Sequence, residues 1–207
     1  MNEAPARSTA GVPATARALR LPIETGRLAL REFVPGDYDA VYAYASDPRV
    51  TRHMLYGPRD PMDTHDYLRR VLGYQKNDPR LVWELAVEQR SDHALIGACD
   101  ITILKAGEGD LGYMLRHASW GKGYATEAVR ALIDHAFTDL DCESLQASAR
   151  VTNPASRRVL EKCGFQWTGV GLYRISSIKS SAPIDRFRLD RRLWASLKSW
   201  GAGRRVG

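Results

Sequence analysis

Two hydrophobic periods alternate along the chain and predict one mixed α/β domain. Arg27-Leu28-Ala29-Leu30-Arg31-Glu32-Phe33 alternates apolar with polar positions, the two-residue repeat of a half-buried strand. Asp37 can cap a helix carrying Ala40, Val41 and Tyr44, which stops before Asp47-Pro48. Thr64 can cap a second helix with Tyr67, Leu68, Val71 and Leu72 at helical spacing, ending at Gly73. Strands are expected over Leu81 to Val87 and Ala94 to Leu104, joined by the turn residues Gln89 to Asp92. A glycine-rich turn at Ala106 to Gly109 leads into a strand over Leu111 to Arg116. Ala125, Ala128, Val129, Leu132 and Ala136 then form one stripe of a helix from about Gly123 to Asp139. A strand over Ser144 to Val151, a short helix over Pro154 to Cys163, and strands over Phe165 to Tyr173 and Ile184 to Leu189 finish the pattern. The fold class is α/β (α+β), with six to seven strands and about four helices. The first strands are antiparallel because short turns join them.

Composition narrows the setting. A chain of 207 residues is large enough to bury its own core without staples. No stretch approaches the ~18 uninterrupted apolar residues of a membrane-spanning helix, and the first twenty lack the apolar core of a secretory signal. Residues 1–20, rich in Ala, Pro, Ser, Thr and Arg, read as a disordered leader; 21–200 form one domain, and 201–207 a flexible tail. Three cysteines without a C-x-x-C pair fit free thiols in a cytoplasm and give no metal site. The net charge of +6 suits a nucleic acid, an anionic cosubstrate or solubility alone. The arginines are dispersed and lack interleaved stacking aromatics, so nucleic acid is set aside as the main partner.

The densest chemistry lies in Leu111-Gly112-Tyr113-Met114-Leu115 followed by Trp120-Gly121-Lys122-Gly123-Tyr124-Ala125-Thr126. A strand enters a loop with two glycines, and the loop opens a helix. Unpaired N–H groups and about half a positive charge collect at such a terminus, and glycines let the backbone approach an anion. It is not a Walker loop, because Gly123 follows Lys122, nor a dinucleotide fingerprint, because Thr126 stands at the third glycine position. On physics alone, a phosphate cradle and a plain turn account for it equally well. Asn153 at N-cap, Pro154 at N1 and Gly164 after the last turn are explained by the helix they bound. Ser156 is either an exposed serine or a hydroxyl placed to meet a developing anion.

Taken together, Trp120 to Ala128, Asn153-x-x-Ser156 and Lys162-Cys163-Gly164-Phe165 resemble the GNAT superfamily of acetyl-CoA-dependent N-acetyltransferases. Within it they are most similar to the ribosomal-protein N-terminal acetyltransferase-like branch. Thr25-Gly26-Arg27-Leu28, Asp47-Pro48 and Leu95-Ile96-Gly97 stand in the expected order, so the resemblance covers residues 21 to about 190. It implies a mostly antiparallel sheet with a splayed pair of strands and acetyl-CoA as cosubstrate. The family's pyrophosphate loop falls on Trp120, Gly121, Lys122, Gly123, Tyr124 and Ala125, with Thr126 following, and Trp120 replaces the usual Gln or Arg. The backbone of Tyr113, Met114 and Leu115 would pair with the pantetheine arm. Asn153 would hydrogen-bond that arm, Ser156 would face the thioester sulfur, and an N–H near Leu115 would hold the oxyanion.

The resemblance implies a primary-amine acceptor, on a small molecule or a protein N-terminus, which must lose a proton before it attacks. The branch's glutamate after the Lys-x-Gly-Phe motif is replaced here by Thr168, so the base is open among Asp110, Asp185, Glu84, Asp100, His53 and a water chain, with Asp185 and Asp110 joining Ser156 as the catalytic candidates. Cys163 reads as a small core residue, His117 as a loop histidine, and Trp194 with Trp200 as packing or a homodimer contact. Two competing readings remain. A non-catalytic acyl-CoA sensor would explain Thr168, and an RNA-associated factor would use the positive charge.

Overall fold

Eight strands form one sheet in the order β1-β2-β3-β4-β5-β6-β8-β7. They are β1 (Ile23–Glu24), β2 (Leu28–Glu32), β3 (Val82–Gln89), β4 (Leu95–Lys105), β5 (Glu108–Leu115), β6 (Ser144–Arg150), β7 (Gln166–Ile175) and β8 (Ser180–Asp190). The six helices are α1 (Tyr38–Ala45), α2 (Pro48–Thr51), α3 (Pro61–Tyr74), α4 (Tyr124–Thr138), α5 (Pro154–Lys162) and α6 (Arg191–Ala202). This computed structural model describes residues 18–54, 56–105, 107–175 and 180–202, and counts of elements refer to these. The leader expected over 1–20 falls mostly on 1–17, and most of the tail on 203–207, both outside the described residues. Leu19 is already buried in the core.

The α/β sheet is mixed and mostly antiparallel, as expected. It has one more strand than the upper expected count because the two-residue β1 pairs with β2 through Ile23↔Leu30 and Glu24↔Ala29, too short for periodicity to reveal. It has two more helices because α2 is a single turn and α6 carries the amphipathic stretch of Trp194 and Leu197. Two caps also differ from expectation. Asp60, not Thr64, starts α3 by accepting from the Asp63 N–H at 2.7 Å, while Thr64 sits inside and donates to the Asp60 carbonyl. Asp37 does not cap α1: its carboxylate turns back to the Val34 N–H and to both Nη atoms of Arg31.

Strand alternation divides the sheet into two faces. Leu28, Leu30, Leu85, Ile101, Leu111 and Leu145 point to α4 and α5, where Val129, Leu132 and Leu160 complete the larger core. Full burial of each such side chain contributes about 1.5–3 kcal/mol. The opposite face carries Ala86 and Ala98 against Val41, Tyr44, Tyr67, Leu68 and Val71 of α1 and α3. The small alanines leave room there for larger polar groups.

Only β5 and β6 run parallel, and their ladder is short. It pairs Glu108↔Ser144, Gly109↔Leu145, Asp110↔Gln146 and Leu111↔Ala147, then ends. Beyond it β5 stays with β4 as far as Gly97↔Leu115, and β6 stays with β8 as far as Arg150↔Ile184. The two strands therefore diverge like an opened seam.

Candidate active site

The seam exposes a row of main-chain groups. Arg116 donates its N–H to the Ile96 carbonyl at 2.8 Å, so alternate residues Met114 and Gly112 also face β4. Tyr113 and Leu115 then turn their N–H and C=O groups toward the gap. The Met114 backbone, expected to share this edge, thus faces β4, and its side chain lies on the other face, where its Sδ accepts from the Tyr56 hydroxyl at 3.7 Å.

The glycine loop closes the end of the seam. Trp120 donates its indole N–H to the Leu115 carbonyl at 2.8 Å and thereby folds the loop back onto the last residue of β5. His117 is exposed and packs tilted on that indole, 4.9 Å between centroids. Gly121 and Gly123 have φ of +74° and +80°, the left-handed region that a side chain would strain. Gly121, Lys122 and Gly123 are exposed, and Gly123 leads into α4 without a side-chain cap. The first-turn amides of Tyr124, Ala125 and Thr126 are therefore open to an anion.

Arg27, a hundred residues away in sequence, fastens this loop. Its guanidinium donates to the Lys122 carbonyl at 3.0 Å and to Glu127 Oε2 at 2.7 Å, and lies 4.5 Å over the Tyr124 ring. Thr25 donates to Glu127 Oε1 at 2.7 Å. Burial pushes the Glu127 carboxyl upward, but the bonds from Thr25 and Arg27 outweigh it and leave the pKa lowered. A cavity of about 640 Å³ opens beside the loop, with Arg27, Gly123, Thr126, Arg130 and Lys162 in its wall.

Helix α5 supplies a hydroxyl on the same face. Asn153 uses Oδ1 to cap the helix, accepting the Ser156 N–H at 3.1 Å. The side chain of Tyr113 crosses from β5 to α5 and places its hydroxyl 2.8 Å from Ser156 Oγ and 3.1 Å from the Ser156 carbonyl. Burial pushes the Tyr113 phenol well above its ordinary pKa, so it remains a proton donor. Cys163 is buried with its thiol pushed up to about 11, which fits a core residue and not a nucleophile.

The sheet separates the candidate bases. Asp185 shares the face of Ser156 but is buried and engaged: Trp167 Nε1 donates to it at 2.8 Å, and Arg157 Nη1 lies 3.7 Å away. Asp110 pairs opposite Thr102 and Gln146, and its side chain alternates to the face opposite Tyr113 and Ser156. Glu84 and Asp100 are register partners on that same opposite face. Asp100 in turn pairs with Gly112, and a Cβ placed on Gly112 would overlap Asp100 Oδ1. The carboxylate thus leans across β5 at the first residue past the last β5–β6 pair. Burial, with Arg52 and Arg150 nearby, lowers the pKa of His53.

These elements, an opened parallel pair leading to an uncapped helix behind a two-glycine loop, have a counterpart among known proteins. A family model described as acetyltransferase (GNAT) domain matches residues 27–166, more than half of the chain. The chain belongs to the GNAT acetyltransferases. Among curated relatives, the uncharacterized N-acetyltransferase p20 of Bacillus licheniformis is 31% identical over 149 residues, covering 70% of this chain and 83% of that one. Two solved GNAT structures share the fold at lower identity. Spermidine N-acetyltransferase from Vibrio cholerae, in complex with CoA and spermine, superposes with a TM-score of 0.69 at 17% identity, over 83% of this chain and 99% of that one. An aminoglycoside acetyltransferase in complex with coenzyme A gives 0.67 at 18%, over 83% and 99%. No described helix of this GNAT protein is long and apolar enough to cross a membrane.

Motif reading included Arg27 and Glu127 but gave neither a task, and it did not place the Tyr113 hydroxyl. The first two meet only through tertiary contact. The Tyr113 side chain could have been assigned from its parity with Leu111 and Leu115 on β5.

Proposed function

We propose that the protein transfers acetyl from acetyl-CoA to a primary amine by direct attack in a ternary complex. The observation that carries this reading is the β5–β6 seam, which ends against the exposed Gly121–Gly123 loop. The residues fit the cosubstrate. Amides of the loop and of Tyr124 to Thr126 suit its diphosphate, and the Tyr113 and Leu115 edge suits the amide-bearing pantetheine arm. Arg130 and Lys162 stand in the wall of the cavity beside the loop, together with Glu24, Glu127 and Asp134.

Asp100 accepts the proton of the incoming ammonium, directly or through one water, and the free lone pair attacks the thioester carbonyl. The Leu115 N–H stabilises the oxyanion; removal of one such donor typically costs about 3–4 kcal/mol. As the oxyanion collapses, the carbon–sulfur bond breaks and the departing thiolate takes a proton from the Tyr113–Ser156 hydroxyl pair. Holding amine and thioester together contributes a further ~7–11 kcal/mol. Asp185 fastens α5 to β7 and β8 through Arg157 and Trp167, and Asp110 lies on the acceptor side as a charge near the seam. The acceptor is a small-molecule amine or, as the resemblance to the ribosomal-protein branch implies, a protein N-terminus. Three buried free cysteines accord with a reducing, cytoplasmic setting.

Incubation with acetyl-CoA and a panel of amines should release free thiol in proportion to acetylated amine. Acetyl-CoA binding without thiol release on any amine would replace this reading with the acyl-CoA sensor.

A further inference from the structure

Among the described residues, three buried polar side-chain atoms have no hydrogen-bond partner within the protein: Tyr44 Oη, His53 Nδ1 and Arg59 Nη1. All three lie on α1 or in the segment between it and α3, on the face to which Asp100 points. Arg59 is not loose. Its guanidinium sits 4.0 Å over the Tyr67 ring and 4.7 Å over the Tyr56 ring, and its backbone N–H donates to the Ala45 carbonyl at 3.0 Å. Two rings thus clamp a cation and leave one of its N–H groups buried without an acceptor. Tyr44 is 1% exposed, and its hydroxyl comes near that of Tyr67 without completing a hydrogen bond.

The carboxylate beneath them, Glu84, attracts Arg59 through space but gives its Nη1 no hydrogen bond. Glu84 receives the Tyr67 hydroxyl in a short hydrogen bond, and burial raises its pKa, which favours the neutral acid. Around the clamp stand further positive groups: Arg70 5.9 Å from the Tyr67 ring, Arg150 donating to the Met54 carbonyl, and Arg52 donating to His53. A single ring connects the clamp with the seam, because Tyr56, under Arg59, also donates to Met114 of β5.

We infer that the acceptor carries a carboxylate or carbonyl oxygen next to its amine, and that Arg59, with the Tyr44 hydroxyl beside it, grips that oxygen. The class is an α-amino acid or the first residue of a peptide. A polyamine offers no such oxygen and would bring a second cation against Arg59. This rests on the acetyl-transfer reading and narrows it.

The test compares matched sets of amino acid, amino-acid amide, dipeptide and the corresponding decarboxylated amine, with spermidine, at equal concentrations of neutral amine. Oxygen-bearing acceptors should exceed the decarboxylated amines and spermidine in kcat/KM by on the order of 10²-fold. Free amino acids ahead of dipeptides would assign the carboxylate, and the reverse the peptide carbonyl. Arg59→Gln should collapse the preference, with the thermal midpoint and acetyl-CoA affinity as controls for folding. Spermidine or decarboxylated amines turned over equally well would overturn the inference, as would an unchanged preference in R59Q. If no amine is acetylated, the broader proposal fails instead, and calorimetry of the same sets on CoA-loaded protein still reads the clamp: binding indifferent to the oxygen contradicts it.

Discussion

The two faces of the sheet are finished to different degrees. On the α4–α5 face, the polar side chains that shape the seam have partners: Arg27 with Glu127, Trp120 with Leu115, Tyr113 with Ser156, Asn153 with the end of α5. On the α1–α3 face, Tyr44 and Arg59 end in unmatched atoms, and Asp100 leans across a glycine toward the gap. An unpaired buried polar group costs about 1–3 kcal/mol, so a fold does not collect several by chance. The contrast teaches a division of labour. On the proposed reading, the first face is prebuilt for a constant cosubstrate whose contacts are largely main chain, and the second leaves its hydrogen bonds for the acceptor to complete.

The comparison breaks most readily at the seam between the faces. Asp100→Asn should lower kcat by about 10²–10⁴-fold in single-turnover kinetics while acetyl-CoA affinity stays put. Loss of affinity with kcat unchanged would move Asp100 out of the proton path. On the finished face, Ser156→Ala and Tyr113→Phe should each slow the chemical step by about 10- to 100-fold, the value of one hydrogen bond to a developing charge. The double variant should cost less than the product of the two, because the hydroxyls act as a pair.

Smaller effects sharpen the contrast. Arg27→Ala removes an ion pair whose arginine is about half exposed, so discounting for solvent leaves about 1 kcal/mol or less, read as a several-fold weaker acetyl-CoA affinity in calorimetry. Glu127 has a folded-state pKa below its unfolded value, so its contribution is present above the ordinary carboxylate range and lost as pH falls through the folded pKa. Acid titration of stability should therefore show a slightly steeper loss below about pH 4.5 in wild type than in Glu127→Gln. Equal slopes would remove Glu127 from the loop's support.

Much of the finished face was legible in the sequence because its signals are local. The stripe of α4, the left-handed Gly121 and Gly123, and the cap formed by Asn153 each follow from neighbours within a few positions. The open face was not. Arg59 becomes informative only when α1, α3 and β3 fold around it, and nothing in Gly57-Pro58-Arg59-Asp60 marks a clamped cation. Asp100 stood behind Asp185 and Asp110 among five candidates until strand register put it opposite a residue without a side chain. Asp185 shows the converse: a carboxylate on a late strand was a candidate base, and tertiary contacts with Trp167 and Arg157 gave it a structural task.

Amide hydrogen exchange of the whole protein with and without acetyl-CoA reads the seam and the loop together. Protection should rise at Tyr113, Leu115 and the amides from Gly121 to Thr126, and Gly123→Asp, which puts bulk and negative charge in the cradle, should abolish it. Unchanged exchange along that path, or wild-type acetyl-CoA binding by G123D, would show that the cosubstrate lies elsewhere.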